Sequence, residues 1–281
     1  MLYSALVSRP TSETELLDDR QLDLFASPAP VIAPSRSEAR QEAPEPSSLS
    51  DLDLISGLLE GGLRNCAVLA AEAGRRKLAT AVPALAQVCR RFTGWGATAL
   101  VPEQAAALKA LQEIGGRAAA SAVVYGIVRA EIAGPTLRIA VAAASALGAT
   151  LPEQAALQLL RHDDPGVRAF TCRCVRPSAA IATLLLELLD DLRPEVHEAA
   201  ACALGMMGRA EVRASLIHLV HKSPSKETVE ALAVVADEQG LALLLRTGEQ
   251  VPALADAIVE ALECCEHPGA PSVARRLQSR R

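Results

Sequence analysis

From Ser50 onward, apolar positions recur every three or four residues in segments of about 10 to 16 residues, broken by Pro, Gly or Asp. That period is helical, and the dominant residues, Ala and Leu, are strong helix formers. Few stretches alternate Val, Ile, Thr and aromatics as a half-buried strand would, so the pattern predicts an all-α fold. A longer period lies over the short one. Pro135, Pro165, Pro194, Pro224 and Pro252 are spaced by 30, 29, 30 and 28 residues. Each precedes a helical pattern, and proline is favoured at a first helical position. Five residues beyond each proline stand Ala140, Phe170, Ala199, Val229 and Ala257, and nine residues beyond stand Ala144, Cys174, Ala203, Ala233 and Ala261. Small residues at fixed helical offsets let neighbouring helices approach closely. A second set of helices is expected between them, at Glu153–His162, Ala179–Asp190, Val212–Val220 and Gln239–Arg246. The reading is a repeating helical hairpin, a solenoid over residues 51–267 in which each unit buries its apolar face on its neighbours.

The ends have a different texture. Residues 26–50, ASPAPVIAPSRSEARQEAPEPSSLS, hold little to bury, and their Pro, Ser, Ala and Glu predict a disordered, extended tether. We therefore expect residues 1–50 to be a disordered tail and residues 268–281 a basic C-terminal tail. Within the first, TSETELLDDRQLDLF has the Ser12–Glu15 spacing of a capping box and would form at most a marginal helix alone.

Of the 28 basic and 33 acidic residues in the 281-residue chain, four and eight fall in residues 1–50, so the body is close to neutral. A net charge of −5 does not match a general nucleic-acid binder. Seven cysteines, an odd number placed inside helical patterns, suggest free thiols in a reducing compartment. MLYSALVSRP carries no secretory pattern, and the longest apolar run, AAASAVVYGIV, is too short to span a bilayer. A cytoplasmic protein without membrane contact is expected.

The segment DDLRPEVHEAAACALGMMG (Asp190–Gly208) resembles a HEAT-like repeat of the short kind found in phycobilisome-lyase-type proteins. HDDPGVRAFTCRCV and GPTLRIAVAAASALG look similar, and LKALQEIGG is a looser echo. His197 stands where that pattern usually has Arg, and the last two repeats lack the Asp-Pro-Val-Arg core. The resemblance implies a helical-hairpin solenoid that acts mainly as a scaffold, and fold alone does not assign its ligand.

The sharpest functional signal is Gln21-Leu22-Asp23-Leu24-Phe25. It resembles, at all five positions, the linear motif by which bacterial replication and repair proteins dock on the DNA polymerase sliding clamp, the β subunit. Adjacent Leu24 and Phe25 can enter one apolar pocket with Leu22 alongside. Gln21 offers two donors and an acceptor to a polar pocket, and Asp23 is the tolerant position. The resemblance implies a bacterial, non-enzymatic adaptor with two partners, the clamp and an unknown protein bound by the solenoid. The alternative is a scaffold without a clamp link, in which residues 12–26 form a capping helix using Leu17 and Leu24. SDLDLISGLL (Ser50–Leu59) shares Leu-Asp-Leu but continues as a periodic helix, and reads as core.

Other constellations are weaker. Cys172-x-Cys174 and Cys264-Cys265-x-His267 lack the paired spacing of a zinc frame, so no metal and no cofactor is expected. His218 and His221 read as a solvated or half-buried pair. Arg75-Arg76-Lys77 and Arg90-Arg91 read as helix-end cations. In the C-terminal ARRLQSRR, phosphate contacts by Arg275, Arg276, Arg280 and Arg281 stand level with that reading, which keeps a DNA-binding or glycosylase-like solenoid as a third possibility. Trp95, the only Trp, would pack its loop onto the first hairpins. No phosphate loop, nucleophile elbow or His-Glu zinc helix occurs in the sequence.

Overall fold

Fifteen α-helices and no strand occur among the described residues, 45–61 and 63–279, of a computed structural model of the chain. They are α1 (Asp51–Glu60), α2 (Leu63–Arg75), α3 (Val82–Arg91), α4 (Pro102–Ile114), α5 (Gly116–Val128), α6 (Gly134–Ala146), α7 (Glu153–Leu159), α8 (Pro165–Cys172), α9 (Ala179–Glu187), α10 (Pro194–Met206), α11 (Arg213–Lys222), α12 (Lys226–Val234), α13 (Glu238–Gln250), α14 (Pro252–Glu263) and α15 (Ala270–Gln278). The even-numbered helices α2 to α14 stack in sequence as one layer, and the odd-numbered helices cover it as a second. This is an all-α solenoid of helical hairpins. The tail up to residue 44, the Gln21–Phe25 motif, the capping helix expected over 12–26, Arg280 and Arg281 lie outside the described residues.

Local chemistry sets the helix starts. Pro135, Pro165, Pro194 and Pro252 sit in the first turn of α6, α8, α10 and α14, where the missing N–H would have been unpaired anyway. Pro224 departs from the expectation. It precedes Ser225, whose hydroxyl accepts from Thr228 N at 3.2 Å while Thr228 Oγ1 accepts from Ser225 N at 2.9 Å. This reciprocal capping box starts α12 two residues beyond the proline.

Counting from the N-cap instead of the proline brings the five helices into one register. Position three is Thr136, Val167, Val196, Thr228 and Leu254, position seven is Ala140, Thr171, Ala200, Leu232 and Ile258, and position eight is Val141, Cys172, Ala201, Ala233 and Val259. All are buried except half-buried Leu254. Some of the proline-counted positions face outward: Ala203, Ala257 and Ala261 are only half-buried. The buried threonines are satisfied, Thr171 Oγ1 donating to Val167 O at 2.7 Å and Thr136 Oγ1 accepting from Val101 N at 3.0 Å.

Arginines stitch successive turns. Arg76 donates to the Leu49, Pro46 and Ser47 carbonyls at 2.9, 3.0 and 3.1 Å and pairs with Asp51. Residues 46–50, expected in the tail, are thereby held on α2. Arg91 donates to the Leu58 and Gly61 carbonyls at 3.0 and 3.1 Å, satisfying the end of α1. Arg168 pairs with Asp191 and reaches the His162 carbonyl at 2.7 Å. In the next repeat His197, in the usual arginine position, uses Nδ1 on Leu189 O at 2.6 Å. Glu72 receives both Arg75 and Arg76, whose hydrogen bonds hold its carboxyl down to about 2. The clusters at 75–77 and 90–91 therefore serve the fold through Arg76 and Arg91.

The C-terminal stretch differs from the expected tail. Within 268–281, residues 270–278 form α15, whose Ala270, Ala274 and Leu277 are buried against α13 and α14. Leu277 meets α13 at Gly248, where any Cβ would lie 2.8 Å from its Cδ2. The stripe closes the end of the stack.

Candidate functional site

Soft apolar side chains gather on the even layer where α8, α10 and α12 run side by side. A groove of about 440 Å³ opens there, floored by Ala199, Cys202 and Ala203 of α10 and walled by Val175, Met206 and Met207. Met206 is 58% exposed at the rim of the groove. Methionine is flexible and polarizable, and such side chains adapt to irregular partners.

One ion pair spans the groove. Arg173, at the C-cap of α8, lies 2.7 Å from Glu227 in the first turn of α12, and its guanidinium sits 5.7 Å from the centre of the Phe170 ring. The pair stands across α10 and fixes the mouth of the groove with a cation and an anion side by side. Glu230, one turn along α12, adds a second carboxylate. The site can hold an apolar side chain and orient polar groups beside it. Burial pushes the Cys172 and Cys202 thiols up to about 12, which favours the protonated form near neutrality.

The other cysteines behave alike. Burial pushes Cys89 and Cys174 up to about 12 and raises Cys66. Cys264 is exposed and Cys265 half-buried. We expect a disulfide reagent at pH 8 to modify Cys264 quickly and Cys265 more slowly. The five buried thiols should react only after denaturation. A native protein that titrates more than two thiols would refute this burial pattern.

The remaining sequence candidates are scattered. His267 Nδ1 accepts from Gly269 N at 3.1 Å within its own turn. No group of three or more His, Cys, Asp or Glu that could hold a metal occurs among the described residues. His218 and His221 are both exposed. Arg276 approaches Glu249 of α13 at 3.4 Å, while Arg275 is exposed and donates to Pro271 O at 3.2 Å. Trp95 departs from its expected packing role: it is 71% exposed, edge-on to buried Phe92 at 6.2 Å. Phe92 is the ring that anchors the loop. The groove residues Met206, Met207, Arg173 and Glu227 were not singled out by sequence. A Met-Met pair at the end of a repeat helix was the available signal.

Residues 153–237 match the family model of HEAT repeats. They comprise α7 to α12, the helices that build the groove. No curated protein matches the chain. Repeats of this kind commonly mediate protein–protein interaction, and stacked helical repeats offer extended binding surfaces. Such a fold is typically non-catalytic. No helix among the described residues is long and apolar enough to cross a membrane.

Proposed function

We propose that the protein is a non-enzymatic adaptor that docks on the bacterial DNA polymerase sliding clamp through Gln21–Phe25 and presents its solenoid to a second protein in replication or repair. The observation that carries the clamp half is the complete QLDLF beside a Pro-, Ser- and Glu-rich stretch. A tethered motif can engage a pocket while the body holds another partner, and the groove between α8 and α12 is the surface we assign to that partner. Direct DNA contact through Arg275, Arg276, Arg280 and Arg281 is the lesser reading, and it would show as binding that weakens steeply with salt.

A short segment that orders on binding should dock in the micromolar range, about −8 kcal/mol. The test is fluorescence anisotropy of a labelled Thr11–Pro30 peptide on a bacterial sliding clamp, repeated as a pull-down with the whole chain. Leu24→Ala with Phe25→Ala should abolish both signals. Clamp binding unchanged by the double substitution would sink the clamp reading and leave a protein scaffold in which residues 12–26 serve as a cap.

A further inference from the structure

Packing along the odd layer is uneven: α3 packs on α5 and α7 on α9, while α5 on α7, like α9 on α11, makes no comparable contact. Beside the sparse α5–α7 contact a cleft of about 730 Å³ lies between α5, the loop after α6 and the loop after α8. Its walls are preformed. Gly148 N and Ala149 N bond to Ser145 O and Ala144 O at 3.0 and 2.9 Å, and Leu151 N bonds to Cys174 O at 2.8 Å. Its apolar surface includes Val128 and Leu147, with Val128 46% exposed and Tyr125 51% exposed.

The charged side chains of the cleft are of one sign. Arg117 at the start of α5 and Arg176 after α8 both line it, and none of the described lining residues is Asp or Glu. In a chain of net charge −5 that is a local inversion of sign. Neither arginine forms a hydrogen bond or ion pair with another described residue, and the Tyr125 hydroxyl likewise has no such partner. The contrast with Arg76, Arg91 and Arg168, each committed to carbonyls and carboxylates, is direct. The first turn of α5 also has no side-chain cap, so its N–H groups add positive potential at the same end.

We propose that this cleft is a second docking surface, and that its occupant is an acidic peptide segment of a partner protein with apolar residues between its carboxylates. Carboxylates pair with Arg117 and Arg176, a forked geometry suited to guanidinium. The apolar residues cover Val128, Tyr125 and Leu147. The cleft shares no residue with Gln21–Phe25 or with the groove over α10, so this reading and the clamp reading can fail separately.

The test uses the whole chain and a labelled amphipathic peptide built only of Glu and Leu, with a Lys-and-Leu peptide of the same pattern as control. The Glu peptide should bind saturably and more weakly as salt rises, and the Lys peptide should not bind. Arg117→Glu with Arg176→Glu should weaken binding by at least about tenfold. Val128→Glu should weaken it too, while Arg246→Glu, on the exposed side of α13, should leave it unchanged. All four positions are exposed, and circular dichroism melts confirm that the variants fold. Equal binding of both peptides, or binding indifferent to the double reversal, overturns the proposal. So does concentration-dependent self-association abolished by the same reversal, which would make the cleft a contact between copies. Anionic vesicles binding where the Glu peptide does not would also overturn it.

Discussion

Gly134→Ala is expected to destabilise the protein by about 3 kcal/mol, because two independent penalties meet at one residue. Gly134 opens α6 with φ of +55°, a left-handed conformation that costs an alanine about 1 kcal/mol. Its added methyl would also land on the carbonyl oxygen of Gly96 and come within 2.7 Å of the Ala97 oxygen. Those atoms are backbone, so no rotamer change relieves the contact, and the loop between α3 and α4 must move. That loop is pinned at both ends, by buried Phe92 and by the bond from Val101 N to Thr136 Oγ1 at 3.0 Å. Displacing it therefore loosens α4 against α6. For a body of this size the melting temperature should fall by roughly 6 to 12 °C. Trp95, the chain's one tryptophan, rides on the loop and reports the displacement through its emission. A variant with the wild-type melting temperature and spectrum would show that the loop yields freely and the approach of Gly134 is not structural.

Much of the solenoid was legible because its causes are local. Proline in a first turn, small residues at helical offsets and a period near 30 residues each act within one hairpin. The error at Pro224 is instructive. Proline only permits a helix start, whereas the Ser225–Thr228 capping box specifies one, and the nearer hydrogen-bonding signal set the register. The C-terminal misreading has a similar origin. Charge dominates ARRLQSRR, yet Ala270, Ala274 and Leu277 are spaced by four and three residues, enough for one buried stripe.

What sequence could not deliver is long-range. Arg76 satisfies carbonyls 27 to 30 residues earlier in the chain, and no local pattern distinguishes it from exposed Arg75. Arg117 and Arg176 share a cleft because packing brings α5 and the loop after α8 together, which is a property of packing between repeats. The same holds for the groove. Arg173 meets Glu227 across 54 positions of sequence, brought together by the stacking of α8, α10 and α12. Repeats make the scaffold readable, and departures from the repeat make its surfaces.

Arg168→Leu should show how strongly one repeat is joined to the next. Arg168 donates to both carboxylate oxygens of Asp191, Nε to Oδ2 at 2.9 Å and Nη2 to Oδ1 at 3.1 Å. Its Nη1 also serves the His162 and Asp163 carbonyls at 2.7 and 3.0 Å. One guanidinium thus joins the turn before α8 to the turn before α10. The side chains are 17% and 9% exposed, so the pair is largely withdrawn from water. Removing only the cation strands a desolvated carboxylate and leaves two carbonyls unmet, a loss of about 3 kcal/mol. Asp191→Asn should cost less, since the amide oxygen can still accept from Arg193 N, now 2.9 Å from Oδ1. Arg168→Lys should fall between, because a single ammonium cannot reproduce the fork. Removing both partners as Leu should cost less than the two single changes summed, which is the signature of a coupled pair. In a solenoid the damage stays near its source. Hydrogen exchange should therefore quicken in α8, the 188–193 turn and the start of α10 while α2 to α4 keep their protection. A stability within about 0.5 kcal/mol of wild type, or exchange that quickens evenly along the chain, would show that the repeats are held by apolar stacking alone.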